Sequence, residues 1–567
     1  KTLIIYLILF STARHSLLSS ANANNFANFF QSNFGHYSTI PKYLEDNNNN
    51  VNISSIEFSE RIIRDYVSSI DTNKGAGPDG IPPLFLKKCA EAISVPLNLI
   101  FTQSFNTHTF PTRLKTSYII PIHKNGSKDA IVNYRPIAKL NVMAKIFEAI
   151  VTKQLISAIK PIIIPNQHGF VKNRSTATNL VEFINKIHIA FRDRMQVDTV
   201  YTDFSKAFDK VDHQLLLNKL WFYGIRGNLF RWIQSYLLNR NQIVNLNGVL
   251  SLPYANTSGV PQGSHLGPIL FLRFINDINK CFKHCDFLLF ADDLKFFHVI
   301  NNMKDCFKVQ NDLDRLSNYC NLNNLPLNIN KCHFISFSRN LFNISFVYKI
   351  GSNTLQQVTH TKDLGVIIDN KLSFIPHINQ VYSDAHRMLG FILRVTRNFS
   401  NPNTLLTLYK SLVCSKLVYC SIIWSPHYDN HKNRLENIQK KFFRALNFRF
   451  NDNLPSYAYF LSTYKLLSLS NRRDFLGLSF IFKILNNSID SPYLLSNISI
   501  NVPSHFTRKF DYIHVDFSST NFYMNSPLIR LARIFNRINS DNNIDLDINN
   551  LSIHSFKKII RKTFTST

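Results

Sequence analysis

Phe287-Leu288-Leu289-Phe290-Ala291-Asp292-Asp293-Leu294-Lys295-Phe296-Phe297-His298-Val299-Ile300 sets two adjacent carboxylates between two apolar runs. Runs this short, rich in aromatic and β-branched residues, read as strands over residues 287–290 and 294–300, with the acids where the chain turns. The expected unit is a β-hairpin with Asp292 and Asp293 at its tip. Two anions about 4 Å apart repel by about 4 kcal/mol at an effective dielectric of about 20, so such a pair beside a core strand is costly unless a cation compensates. Asp-Asp alone is weak evidence, because solvated turns often carry it.

A second stretch strengthens the case. In Val200-Tyr201-Thr202-Asp203-Phe204-Ser205-Lys206-Ala207-Phe208-Asp209 a carboxylate ends an apolar strand, expected over residues 198–204. Hard divalent ions such as Mg²⁺ take oxygen ligands and use one or two carboxylates together with substrate phosphates, so acids from two strand ends suit a shared pair of ions. Between them lies Ser258-Gly259-Val260-Pro261-Gln262-Gly263-Ser264, whose glycines let backbone approach a flat substrate closely. An ordinary turn is the bland reading of that loop.

Composition narrows the partners. The chain has 567 residues, with 64 Lys and Arg against 36 Asp and Glu and a formal charge of +28, which points to a polyanionic partner. Basic residues are scattered rather than blocked, favouring a broad positive groove over a basic tail. Eight cysteines without a regular framework exclude a disulfide scaffold, and Cys281 and Cys285 read as core residues rather than half a zinc site. The apolar stretch 3–10 is too short to span a bilayer, no transmembrane segment is expected, and the start at Lys1 reads as truncated.

Helices are expected over residues 56–70, 139–159 and 176–191, and helical patterns dominate after about residue 370. In the stretch 432–446 Leu435, Ile438, Phe442 and Ala445 form an apolar face, with Lys440, Lys441 and Arg444 towards the other side. Residues 20–55, rich in Asn and Ser and ending in Asn47 to Asn50, read as a linker with little to bury.

Taken together, Asp203, the Pro261-Gln262-Gly263 loop and Phe290-Ala291-Asp292-Asp293 resemble the reverse transcriptase family in order and spacing. The likeness is closer to the jockey-like non-LTR retrotransposons, through Gly75-Ala76-Gly77-Pro78-Asp79-Gly80-Ile81, Tyr134-Arg135-Pro136-Ile137, Gln167-His168-Gly169-Phe170 with Arg174-Ser175-Thr176, Ala207-Phe208-Asp209-Lys210-Val211-Asp212-His213 and Asp363-Leu364-Gly365-Val366. It covers about residues 55–450. The implied fold is an α+β right hand: fingers over 55–195, a palm over 196–370 on a small antiparallel sheet flanked by helices and interleaved with part of the fingers, a thumb over 371–450, and a mostly helical region over 451–567, after a linker or truncated start over 1–54.

The resemblance also implies roles. Asp203, Asp292 and Asp293 would hold two Mg²⁺ ions, with Mn²⁺ as a substitute and the Phe204 carbonyl as a further ligand. Lys124 and Arg135 would grip the incoming triphosphate, Phe208 would exclude a 2′-hydroxyl, and Gln262 and Gly263 would pack against the nucleotide. Lys331 would lie near the leaving pyrophosphate and Arg174 on the template backbone. The implied partners are an RNA template, a DNA primer or target DNA and deoxynucleoside triphosphates, in a ribonucleoprotein of nucleus and cytoplasm. His265 and Arg273 depart from the family pattern, and a buried unpaired Arg273 would suit a decayed, RNA-binding copy. An intron-type maturase is a third reading.

Overall fold

The computed structural model describes residues 20–35, 53–450, 455–501, 511–518, 520–541 and 550–566. The apolar stretch 3–10 and the run Asn47 to Asn50 lie outside them. The fold is mixed α and β, and the chain separates into two compact units: residues 1–165, 204–281 and 315–328 form one, and residues 166–203, 282–314 and 329–567 the other. Both therefore draw on distant parts of the sequence.

In the first unit, strands Thr116–His123 and Tyr134–Lys139 pair antiparallel, and Thr116–His123 also pairs in parallel with Arg240–Leu246. Here the reading of residues 20–55 as linker is corrected for residues 20–35, while 36–52 lie outside the described residues. Ser20–Gln31 is a helix, and Phe26, Ala27, Phe30 and Phe34 pack against Ile119, Ala138, Val244 and Tyr254. Phe26 and Phe30 lie one turn apart on a helical face, with Phe34 just past the helix end, and burying such rings outweighs the weak helix propensity of the asparagines between them. The helix expected over 139–159 also begins later, at Val142, because Lys139 belongs to the paired strand. The helix expected over 56–70 is Glu60–Ser68, started by the Ser59 side chain accepting from the Ile62 N–H.

Arg273 lies on helix Leu266–Ile275 and is fully buried. One Nη donates to the Ile159 carbonyl at 2.7 Å and the guanidinium sits 5.2 Å from the Tyr223 ring, whereas Nε and the other Nη have no hydrogen-bond partner among the described residues. Burial pushes its pKa down to about 10, which leaves it charged at neutral pH. Ion groups satisfied this thinly contribute little net stability, and apolar replacement of buried ionic groups is often stabilising by about 1–4 kcal/mol. Arg273→Met is therefore expected to raise the thermal unfolding midpoint; a midpoint several degrees lower would mean that the Ile159 bond outweighs desolvation. His265, the other departure, is exposed, and its backbone N–H donates to the buried Glu148 carboxylate at 2.9 Å.

The second unit is organised by a five-stranded sheet in the order Gln356–Gln357, His333–Phe337, Gln196–Thr202, Asp293–Ile300, Asp286–Phe290. Its pairings are antiparallel except the first, which is parallel. Every residue of Gln196–Thr202 is buried, so this central strand is covered on both faces. Helix Thr176–Arg192 lies over one face, where Phe183 meets the rings of Tyr201, Phe297 and Phe337. After residue 370 the described structure is helical, as the periodicity predicts, and helix Asp429–Phe450 buries Leu435, Ile438, Phe442 and Leu446 with Lys441 and Arg444 exposed. Among the described residues no helix is long and apolar enough to cross a membrane.

Candidate active site

Strand register brings the acids together. Gln196–Thr202 pairs with Asp293–Ile300 so that Thr202 faces Leu294, and with His333–Phe337 so that Tyr201 faces His333. Extending both ladders past the end of the central strand sets Asp203 opposite Asp293 on one flank and Lys331 on the other. Side chains directly opposite in antiparallel strands point to the same face, with Cβ atoms about 4.5–5.5 Å apart. The Lys331 ammonium accordingly reaches the Asp203 carboxylate at 3.0 Å. Tyr201, Lys295 and His333 lie two residues deeper on that face.

A cavity of about 190 Å³ opens there, lined by Asp203, Asp293, Lys331, Lys295 and His333, with Asp363 closing over them from the hairpin His360–Asp363 and Val366–Asp369. Asp363 pairs with the buried Lys295 ammonium and accepts from the Tyr201 hydroxyl at 3.4 Å. Lys295 interrupts an apolar strand because this carboxylate waits for it, and its ammonium also lies 4.5 Å from the Phe183 ring. The sequence motif contained Asp363 but gave it no task.

Asp292 occupies the expected hairpin tip. Phe290 pairs with Asp293, leaving Ala291 and Asp292 as a two-residue loop with Ala291 at φ 58°, a conformation that usually goes to glycine. The strain is held from one side by Gln167-His168-Gly169. The buried Gln167 amide oxygen accepts from the Ala291 N–H at 2.9 Å and its amide nitrogen donates to the Ala291 carbonyl at 3.2 Å. Gly169 lies so close that a Cβ there would sit 2.2 Å from the Ala291 nitrogen. His168 N–H to Leu289 carbonyl, 2.9 Å, and Leu289 N–H to Asn166 carbonyl, 3.0 Å, extend the sheet along its edge. Nothing in the Gln167-His168-Gly169 motif alone announces this clamp.

Electrostatics register the crowding. Asp293 is pushed up to about 6, first by desolvation and then by the charges of Asp292, Asp363 and Asp203, with Lys295 opposing. A carboxylate whose folded pKa exceeds its ordinary value of 3.8 penalises the fold when it ionises: the penalty is absent below that value, grows up to about pH 6 and is complete above it. Asp293→Asn is thus expected to raise the unfolding midpoint in metal-free buffer at pH 8, with the gain shrinking as pH falls from 6 towards 4. A gain independent of pH would refer it to packing.

Among the described residues no three Asp, Glu, His or Cys side chains cage an ion by themselves. An all-oxygen, net-negative donor set with Lys331 as its nearest cation nevertheless fits Mg²⁺, which takes one or two carboxylates and completes its shell with substrate phosphate and water.

The remaining predicted residues are distributed as follows. Lys124 follows Thr116–His123, its N–H bonded to the Asn133 carbonyl at 2.8 Å; Arg135 stands across from Ile122. This register puts Lys124 and Arg135 diagonally on one face of their hairpin, both exposed. Phe204 is buried and bridges to Leu327. Phe208 stacks on Phe271 with centroids 4.4 Å apart. Gln262 donates to Asp209 at 2.9 Å, and its carbonyl accepts from Ala138 at 2.7 Å. Gly263 has φ 125°, and a Cβ there would meet the Ala138 oxygen at 2.4 Å, so the loop needs glycine to lie on that strand. These residues belong to the first unit. Arg174, nine-tenths buried, donates to the Gln167 carbonyl at 2.9 Å and pairs with Asp490 at 3.7 Å, which braces the clamp.

Residues 122–393 match the family model described as reverse transcriptase (RNA-dependent DNA polymerase). The chain is similar to the probable RNA-directed DNA polymerase from transposon BS of Drosophila melanogaster, 26% identical over 75% of this chain and 49% of that protein. It is similar to the probable RNA-directed DNA polymerase from transposon X-element of the same organism, 26% identical over 69% of this chain and 43% of that protein. The RNA-directed DNA polymerase from mobile element jockey of Drosophila melanogaster is 25% identical over 74% of this chain and 48% of its own length. The chain thus spans about half the length of these curated relatives or slightly less. Over residues 122–393 the chain is thus similar to reverse transcriptases, and over about three quarters of its length or slightly less it is similar to the RNA-directed DNA polymerases of transposon BS, X-element and jockey.

Proposed function

We propose that this chain is an RNA-directed DNA polymerase of a non-LTR retrotransposon, extending a DNA primer on an RNA template from deoxynucleoside triphosphates. The observation that carries the reading is the register that sets Asp203 opposite Asp293, beside the Asp292 turn, with Lys331 on the far flank. Asp203 and Asp292 would hold two Mg²⁺ ions, with Asp293 and the Phe204 carbonyl completing or tuning the site. When bound, the ions supply activation of the attacking oxygen and charge neutralisation at the leaving oxygens. The primer 3′-hydroxyl loses its proton and bonds to the α-phosphorus, the bond to the β-phosphate oxygen breaks, and pyrophosphate leaves.

Lys331 is placed to follow the departing charge once Asp203 turns to the metal. Lys124 and Arg135 are proposed as the triphosphate grip, Phe208 as the ring that excludes a 2′-hydroxyl, and Gln262 with Gly263 as the floor under the nucleotide. The names fingers, palm and thumb, with boundaries after residues 195, 370 and 450, belong to this proposal, as does residence in a nuclear and cytoplasmic ribonucleoprotein. Template choice rests on base pairing, so protein contacts go mainly to phosphate and sugar. The test is Mg²⁺-dependent extension of a DNA primer annealed to RNA by the purified chain. Extension is expected; template binding without extension would support the decayed reading, and stimulation of splicing without extension the maturase.

A further inference from the structure

The second unit contains a larger cavity, about 780 Å³, that shares no lining residue with the carboxylate site. Its walls come from helix Thr176–Arg192, the segments 339–341 and 372–378, the stretch 423–431, and residues 520–525. No Asp or Glu lines it, whereas Arg194, Arg339, His427 and His431 do. His427 is held below its usual pKa by burial and then by Lys432, His431, Arg530 and Arg339, the signature of a positive local field. An anion is the complementary occupant.

The same walls offer flat rings. The Arg339 guanidinium lies 4.2 Å from the Phe522 ring, on which His188 also stacks at 4.3 Å and 25°. His188 is fully buried, and its Nδ1 has no hydrogen-bond partner among the described residues. Tyr428, 60% exposed, stands against His427 with ring centroids 4.0 Å apart. Asn340, Asn521 and Asn525 add side chains that both donate and accept. Cations that neutralise phosphate, rings that stack on bases and amides that read base edges together form the donor set of a single-strand nucleic-acid site. An acidic peptide would satisfy the cations but leave the rings without a matching face. The volume suits a small number of nucleotides, and a duplex keeps its base faces stacked inside.

We propose that this cavity is a second nucleic-acid site, holding one or two unpaired nucleotides of a single strand apart from the polymerising centre. It operates whether or not the chain polymerises.

The test uses the full chain, without nucleotides, and fluorescent 12-residue oligouridylate and oligothymidylate as probes. Arg339→Ala and Tyr428→Ala, both at exposed positions, are each expected to weaken binding about tenfold, the scale of one lost stacking or phosphate contact. Extension of a saturating preformed primer–template should stay unchanged. Oligomers carrying 4-thiouridine or 4-thiothymidine should cross-link to peptides containing Tyr428 or Phe522. Weakening with both sugars assigns recognition to base and phosphate; weakening with RNA alone adds the 2′-hydroxyl, and either supports the site. Unchanged affinity in both variants, cross-links confined to other peptides, or competition by polyglutamate with no binding of either oligomer would overturn it.

Discussion

Asp292→Ala is expected to abolish the proposed primer extension, by about a thousandfold or more, and to leave the chain folded. The size follows from what the position supplies. Asp292 sits in the two-residue loop joining Phe290 to Asp293, at the end of a strand pair whose partner ladder stops at Thr202, one residue before Asp203. Removing one preorganised group that faces developing charge costs about 10²–10³ in rate, and a metal ligand also sets the position of the ion, which adds several kcal/mol of charge stabilisation. Stability should move the other way. Asp292 is the foremost of the charges that push Asp293 upward, so its loss relieves a repulsion. Single-turnover extension and thermal melting on the same preparations decide it. A variant that melts normally and extends at the wild-type rate would remove the carboxylate from the mechanism, and one that fails to fold would show that the side chain holds the turn.

The hairpin, the central strand and most helices were legible because each writes its own local pattern: apolar runs flanking an acidic pair, or apolar residues returning at helical spacing. Tertiary arrangement was less legible. Asp363 and Lys295 meet across 68 residues, and neither side of the pair announces the other in the sequence. Arg174 offers a similar lesson, since neither of the partners it holds, the Gln167 carbonyl and Asp490, is announced by the motif in which it stands. The helix Ser20–Gln31 failed for a compositional reason. Its asparagines suggested a chain with nothing to bury, although three phenylalanines at four-residue intervals were present to be read. The register that sets Lys331 against Asp203 depends on ladders of three strands and could not be reached from any one of them.

Gly169→Ala is expected to lower the extension rate about a hundredfold although the residue touches no substrate. Its added Cβ would lie 2.2 Å from the Ala291 nitrogen and 2.9 Å from the Phe290 carbonyl carbon, and both are backbone, so no side-chain rotation relieves the overlap. Either the 167–169 segment or the turn must move. The turn is the weaker partner, because Ala291 is already at φ 58°, where an L-residue costs about 1–2 kcal/mol, and is kept there by the Gln167 amide. Displacing a catalytic carboxylate by about 1 Å costs on the order of 10²-fold. Because the lesion would misplace a proposed metal ligand and leave the proposed nucleotide contacts alone, kcat should fall with little change in the KM for deoxynucleoside triphosphate, and the Mg²⁺ concentration for half-maximal rate should rise. Gln167→Glu separates clamp from packing: it keeps the volume and the acceptor for the Ala291 N–H but loses the donor to the Ala291 carbonyl, so an intermediate loss is expected. If Gly169→Ala extended primers at the wild-type rate and metal requirement, the close approach of the two segments would have no hold on the acidic turn.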